Sequence, residues 1–154
     1  PAGHVTAFEP YERNLTYLNR NIKINHLLNI TVVPAAVSDS SGIVRFATSE
    51  NTFTGRVSDC GDIAVHSVTI DEYVATHQLF PDIMKIDVEG AESAVLHGAA
   101  NTIRAGHPVL FIAIHTDANR AECQAMLGGV GYDVAALDGL PLAETSEILA
   151  TPKT

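Results

Sequence analysis

The sequence predicts an α/β protein built around a parallel sheet, and three observations carry that prediction. Short apolar and β-branched runs alternate with segments of helical period, the order that a parallel sheet with crossover helices requires. One run, VLFIAIH at 109–115, is hydrophobic almost throughout, as suits a strand covered on both faces. Polar residues also stand at three strand ends, Glu9, Asp87 and His115, and α/β sheets bind their ligands at the carboxyl ends of strands.

Along the chain, HVTAF (4–8) is a short strand closed by Glu9-Pro10. A helix follows from Tyr11, with Leu15, Leu18 and Ile22 spaced by three and four and Asn25 near its end. ITVV (30–33) is the second strand, running past Pro34 into AAVSD and a Ser-Gly turn. Residues 42–46 alternate as an exposed strand does, 48–62 read as a polar loop, and 65–68 as an edge strand. Thr69 and Glu72 have capping-box spacing and start a short helix to about His77. In DIMKIDVEGAE (82–92), Ile83, Met84, Ile86 and Val88 have the look of a buried strand. A helix over 91–105 follows, with Val95 and Ile103 inward. Pro108 opens the apolar strand, 118–127 is a helix ending at GGVG, and 132–137 and 147–150 are the last strands.

Composition narrows the function classes. The 154 residues suit one domain spanning 1–154, and 46% hydrophobic against 18% charged residues excludes a disordered chain. A net charge of −9 argues against nucleic acid, whose phosphates need clustered Lys and Arg. No apolar run approaches the roughly 18 residues of a membrane span, so no membrane partner is expected. Cys60 and Cys123, far apart and without metal-ligand spacing, read as free thiols of a cytoplasmic protein.

Chemistry concentrates in the opening charges of KIDVEGAE. Lys85 and Asp87, two apart on a strand, share a face and can pair, either as a structural ion pair or as an acid/base and orienting pair in a cleft. Glu89 and Glu92 flank Gly90 where a helix begins, and acids there offset the helix dipole and cap free N–H groups; that structural reading is favoured for Glu92. Gly90 fits a tight strand-to-helix turn. Glu9 either accepts hydrogen bonds from both ribose hydroxyls of a nucleotide or merely begins a helix. His115 is the natural general base near neutral pH, although a lone strand-end His is more often structural. The acids with HTD (115–117) hint at a divalent metal, but they form no tight cluster in sequence, so no metal site is expected.

Taken in order, GHVTAFEP, the Leu18–Asn21–Asn25 helix, AVSD (36–39), VTID (68–71), PDIMKIDVEGAE with LHGA (96–99), and Pro108 through His115 resemble FkbM-type S-adenosylmethionine-dependent methyltransferases. The resemblance runs from Gly3 to about Pro152, and KIDVEGAE is its most specific part. It implies a Rossmann-like class I methyltransferase fold: a mostly parallel sheet with an antiparallel final strand and helices on both faces. It also implies S-adenosylmethionine as cofactor and a small-molecule acceptor, such as the hydroxyl of a sugar or polyketide-like compound. By the same likeness, Glu9 holds the cofactor ribose, Val37, Ser38 and Asp39 lie near the adenine, and Asp87, Glu89 and Gly90 border the methionine end. Asp87 or His115 then takes the acceptor's proton, with Lys85 beside them.

Two departures accompany the resemblance. The family usually has Glu two residues before His115, and here that residue is Ala113, so chemistry drawn from that Glu has to be shifted or lost. Class I methyltransferases also begin with a strand and a Gly-rich loop, neither of which precedes Pro1-Ala2-Gly3, and GGVG (128–131) lies too late to replace the loop. The expectation is a truncated chain lacking a middle strand, with two unpaired sheet edges. The competing classes are a degenerate α/β interaction module and an NAD-dependent oxidoreductase.

Overall fold

The computed structural model describes residues 3–48, 55–58 and 60–153. The chain folds into two compact units, Pro1–Val68 and Thr69–Thr154.

In the first unit, β1 (Val5–Phe8) pairs in parallel with β2 (Ile30–Val33), Val5 opposite Ile30 and Phe8 opposite Val33. Between them runs α1 (Glu12–Ile24), which buries Leu15 and carries Glu12 in its first turn and Lys23 in its last, charges that suit the dipole. A second sheet has the order β3-β6-β4-β5, built from β3 (Ala36–Val37), β4 (Gly42–Thr48), β5 (Gly55–Val57) and β6 (Ile63–Val68). Its core is Ala36, Phe46 and Val65, packed by Tyr11, Val44, Val57 and Ile63.

Three expectations for this unit are corrected. Residues 65–68 belong to a central strand, because β6 pairs with β3 on one side and β4 on the other. Residues 42–46 are not simply exposed, since Phe46 is core. The polar 48–62 stretch contains β5, three residues long and opened by a glycine, too short to show a period. Most of the remainder, 49–54 and 59, lies outside the described residues.

The second unit contains α2 (Ile70–His77), β7 (Ile83–Ile86), α3 (Glu92–His97), α4 (Ala100–Gly106), β8 (Val109–Ala113), α5 (Asp117–Gly129), β9 (Tyr132–Ala136) and β10 (Glu147–Pro152). Its sheet has the order β7-β8-β10-β9, with β7 and β8 parallel and the final strand β10 antiparallel to both of its neighbours. Leu96, Leu110, Ile112, Cys123, Leu127, Tyr132 and Ile148 are buried in its core. The strand in KIDVEGAE ends at Ile86, and its alternation buries Met84 and Ile86 but leaves Ile83 62% exposed, so Ile83 and Val88 are not interior strand residues as expected. The helix expected over 91–105 is two, broken at Gly98-Ala99.

The antiparallel final strand is therefore present, but the single Rossmann-like sheet is not. Among the described residues the strands form three sheets, two of them mixed, each with one parallel and two antiparallel pairings. A sheet continues only where each strand finds two neighbours, and among the described residues β1 pairs only with β2 and β7 only with β8. Among those residues no helix is long and apolar enough to cross a membrane. Both cysteines are free, and burial pushes the Cys123 thiol up to about 12, which keeps it un-ionised.

Candidate active site at the ends of strands β7 and β8

Parallel neighbours β7 and β8 bring their carboxyl ends side by side, so residues 87–90 and 113–116 leave the sheet together. Here the fold gathers side chains far apart in sequence. His115 Nε2 lies 3.7 Å from Asp87 Oδ1 and 3.4 Å from Glu89 Oε2, while Nδ1 lies 2.6 Å from Glu92 Oε1. Lys85 Nζ pairs with the other Asp87 oxygen, Oδ2, at 3.0 Å. The His115 side chain is 30% exposed, Asp87 53% and Glu89 39%, so the group is partly open to solvent.

Local backbone places these groups. Glu89 holds the left-handed conformation (φ 55°), uncommon for a residue with a Cβ, and Gly90 follows at φ 108°. A Cβ at Gly90 would meet no atom within 4 Å, so glycine is required there by dihedral angle, and the space beside it stays open. The turn points Glu89 toward His115 and returns the chain into α3.

Glu92 is the residue that sequence reasoning undervalued. It stands in the first helical turn, as the dipole reading requires, yet its side chain is fully buried. Its Oε1 accepts from the Gly90 N–H at 2.8 Å and its Oε2 from Asn119 Nδ2 at 2.7 Å, besides the His115 contact. Asn119, buried on α5, also donates to the Gly90 carbonyl and accepts from Ser93 Oγ. No local pattern marks it.

The electrostatics follow. Burial alone would depress the imidazole's proton affinity and is the largest single effect. The hydrogen bond to Glu92, with the charges of Glu92, Glu89 and Asp87, outweighs it, and His115 titrates above the ordinary histidine value. One ligand-capable atom from each of Asp87, Glu89 and His115 lies within 4.8 Å of the others, so the cluster missing from the linear sequence does form in space. A divalent cation could bridge such a set. The Lys85 ammonium already answers part of the negative charge, and a protonated imidazole answers more.

Glu9, Val37, Ser38 and Asp39 lie in the first unit. Glu9 Oε1 accepts from the Tyr11 N–H at 2.7 Å and Oε2 from Asn14 Nδ2 at 3.2 Å, so its carboxylate does begin α1, whose N-cap Tyr11 has no side-chain cap of its own. Val37 pairs with Val68 at the end of β3, Ser38 is buried with its N–H on the Val68 carbonyl, and Asp39 Oδ1 accepts from Ser38 and Ser40.

The family model for the methyltransferase FkbM domain matches residues 1–146. The chain belongs to the FkbM methyltransferase family. Among curated relatives, the family member here is similar to a hexuronic acid methyltransferase, AglP, of Haloferax volcanii, at 30% identity over 129 residues, 80% of this chain and 52% of that protein. Its fold resembles a crystal structure of the methyltransferase FkbM from Methylobacillus flagellatus KT, with a TM-score of 0.71 and 17% identity over 96% of this chain and 36% of that one. The chain thus spans about half the length of the curated relative. Membership in a methyltransferase family leaves the oxidoreductase alternative without support.

Proposed function

We propose that this chain carries out S-adenosylmethionine-dependent methyl transfer to a hydroxyl of a small molecule, a sugar acid or a related compound. The observation that carries this reading is the meeting of Asp87, Glu89 and His115 at the carboxyl ends of two parallel strands. The relative's hexuronic acid substrate supports a sugar acceptor.

Each unit taken by itself offers groups of the chemistry the cofactor needs. Glu9 keeps lone pairs on both oxygens after its local bonds, as ribose binding needs, and Asp39 keeps its Oδ2. Val37, Ser38 and Asp39 would flank the adenine. The open space beside Gly90, with Glu89 and Asp87 next to it, suits the cationic methionine end. When bound, S-adenosylmethionine supplies an electrophilic methyl group on a sulfonium. This chain's own part is to hold the acceptor oxygen in line and to take its proton. His115 Nε2 is the atom that takes it, Asp87 and Glu89 stabilise the imidazolium formed, and Lys85 orients Asp87. A hydroxyl fits this site better than a carboxylate, which has no proton to lose and would be repelled by the acids.

Methyl transfer to a hexuronic acid by the full-length protein tests this, together with calorimetry of S-adenosylmethionine, S-adenosylhomocysteine and NAD. His115→Ala should bind the methionine-derived ligands as the parent does but lose about 10²–10⁴-fold in rate, and Asp87→Asn should lose rate and also bind them more weakly. Full activity in both variants overturns the assignment, and an alkali-labile methyl ester as product overturns the hydroxyl. Cofactor binding without any turnover points to a degenerate module.

A further inference from the structure

Glu92 does more than a helix cap requires. Its backbone donor, the Gly90 N–H, precedes the α3 N-cap Ala91, so that bond closes the turn and caps no helical N–H. An acid that serves only the dipole works as well from the surface, where Glu12 and Asp117 do so at the heads of α1 and α5. Glu92 is instead wholly buried, and a buried carboxylate is costly unless donors converge on it. Two of its three come from elsewhere in the unit: Asn119 Nδ2 on α5 and His115 Nδ1 just beyond β8.

We propose that Glu92 is the positioning residue for His115, holding the imidazole by Nδ1–H so that Nε2 is the nitrogen turned toward Asp87, Glu89 and the acceptor. An ionised carboxylate offers only lone pairs, so at 2.6 Å the proton of that contact belongs to Nδ1, and in the neutral ring Nε2 keeps the free pair. Asn119 fixes Glu92 in turn. Its Nδ2 donates to Glu92 Oε2 and to the Gly90 carbonyl, each at 2.7 Å, and Ser93 Oγ donates to its Oδ1, so the amide has one orientation that satisfies every partner. The Asn119 N–H also bonds Thr116 Oγ1, which ties the head of α5 to the residue after His115.

The charged groups facing the imidazole are Glu92 from α3 and Asp87 and Glu89 from the turn after β7, with Lys85 on the far oxygen of Asp87. Asp117, at the head of α5, is almost fully exposed and pairs with Arg120. Among the described residues only Glu92 touches Nδ1 within hydrogen-bonding distance. It therefore selects the tautomer, while Asp87 and Glu89 act on Nε2.

This inference rests on the base role proposed above for His115, but its first test needs no turnover. In the full-length protein with ¹⁵N-labelled histidine, nuclear magnetic resonance should show neutral His115 as the Nδ1–H tautomer, opposite to the preference of the free side chain. Glu92→Gln should lower the proton affinity of His115 by about tenfold or more, and Glu92→Asp should restore part of it. In methyl transfer to a hexuronic acid, the acid limb of the rate profile should move down by about one pH unit in Glu92→Gln, with kcat falling and the acceptor KM nearly constant. An Nε2–H tautomer in the parent protein, or an unchanged titration in folded Glu92→Gln, overturns the proposal. A parent protein that transfers no methyl group overturns the methyltransferase reading alone, since the resonance measurements still decide the part of Glu92.

Discussion

Lys85 and Asp87 point to the same side of a strand end and form an ion pair, but both side chains are 53% exposed. An exposed pair of this kind contributes little to stability, so Lys85→Met should cost less than about 1 kcal/mol in chemical denaturation. Its effect on transfer should also be small, below about tenfold, because Lys85 reaches the imidazole only through Asp87. A loss as large as that of His115→Ala would instead place Lys85 in the chemistry itself. The pairing was legible in the sequence, since a spacing of two on a strand dictates it. The roles of Glu92 and Asn119 were not. Glu92 contacts a histidine 23 positions later and an asparagine 27 positions later, and a first-turn acid has an adequate local explanation that conceals them. The convergence of Asp87 and Glu89 on His115 was hidden for the same reason: each strand end was visible, but not which two strands are neighbours.

At the scale of elements, boundaries set by a single residue's chemistry were legible and those set across elements were not. Thr69 caps α2 as its spacing with Glu72 indicates, its hydroxyl accepting from the Glu72 N–H at 3.1 Å. The break between α3 and α4 has another origin. Ala99 at the N-cap of α4 has no side chain able to cap it, and Asp71 from α2 does so instead, accepting from the Asn101 N–H at 3.0 Å and the Thr102 N–H at 2.7 Å. The Asp71 N–H in return bonds the Gly98 carbonyl that ends α3. A sequence pattern with Val95 and Ile103 both inward reads straight across such a break. Two charge-assisted bonds to a helix terminus should be worth about 1–3 kcal/mol, so Asp71→Ala should lower stability by that amount. Hydrogen exchange should speed up first at Asn101 and Thr102. If protection there is unchanged, the junction is held by burial of Ala99 and Ile103 alone.

For the whole molecule, the order of strands and helices was legible because each carries its own period, and the family likeness over 1–146 agrees with it. Continuity of the sheet was not, since it depends on partners for β1 and β7. Charge is another whole-molecule property, and the excess of 18 acidic over 9 basic residues gives pH a direct hold on stability. His115 binds its proton more tightly folded than unfolded. Its contribution is therefore complete below about pH 6.5, the ordinary imidazole value, and is lost as pH rises through the higher folded value. Asp62, held below the ordinary carboxylate range by the Thr48 hydroxyl and N–H, behaves oppositely, and so does Glu122, held there by His97 and then Ser93. Their contributions are present above about pH 4–4.5 and are lost as pH falls through the lowered values. The melting temperature of the free protein should accordingly peak between about pH 4.5 and 6.5 and decline toward pH 8. General self-repulsion also grows as the net negative charge rises toward alkaline pH, so the diagnostic comparison is with His115→Gln. The variant should show a shallower decline above pH 6.5 and the same acid limb as the parent. Parallel curves on the alkaline side would mean that the carboxylates around His115 do not hold its proton in the folded protein.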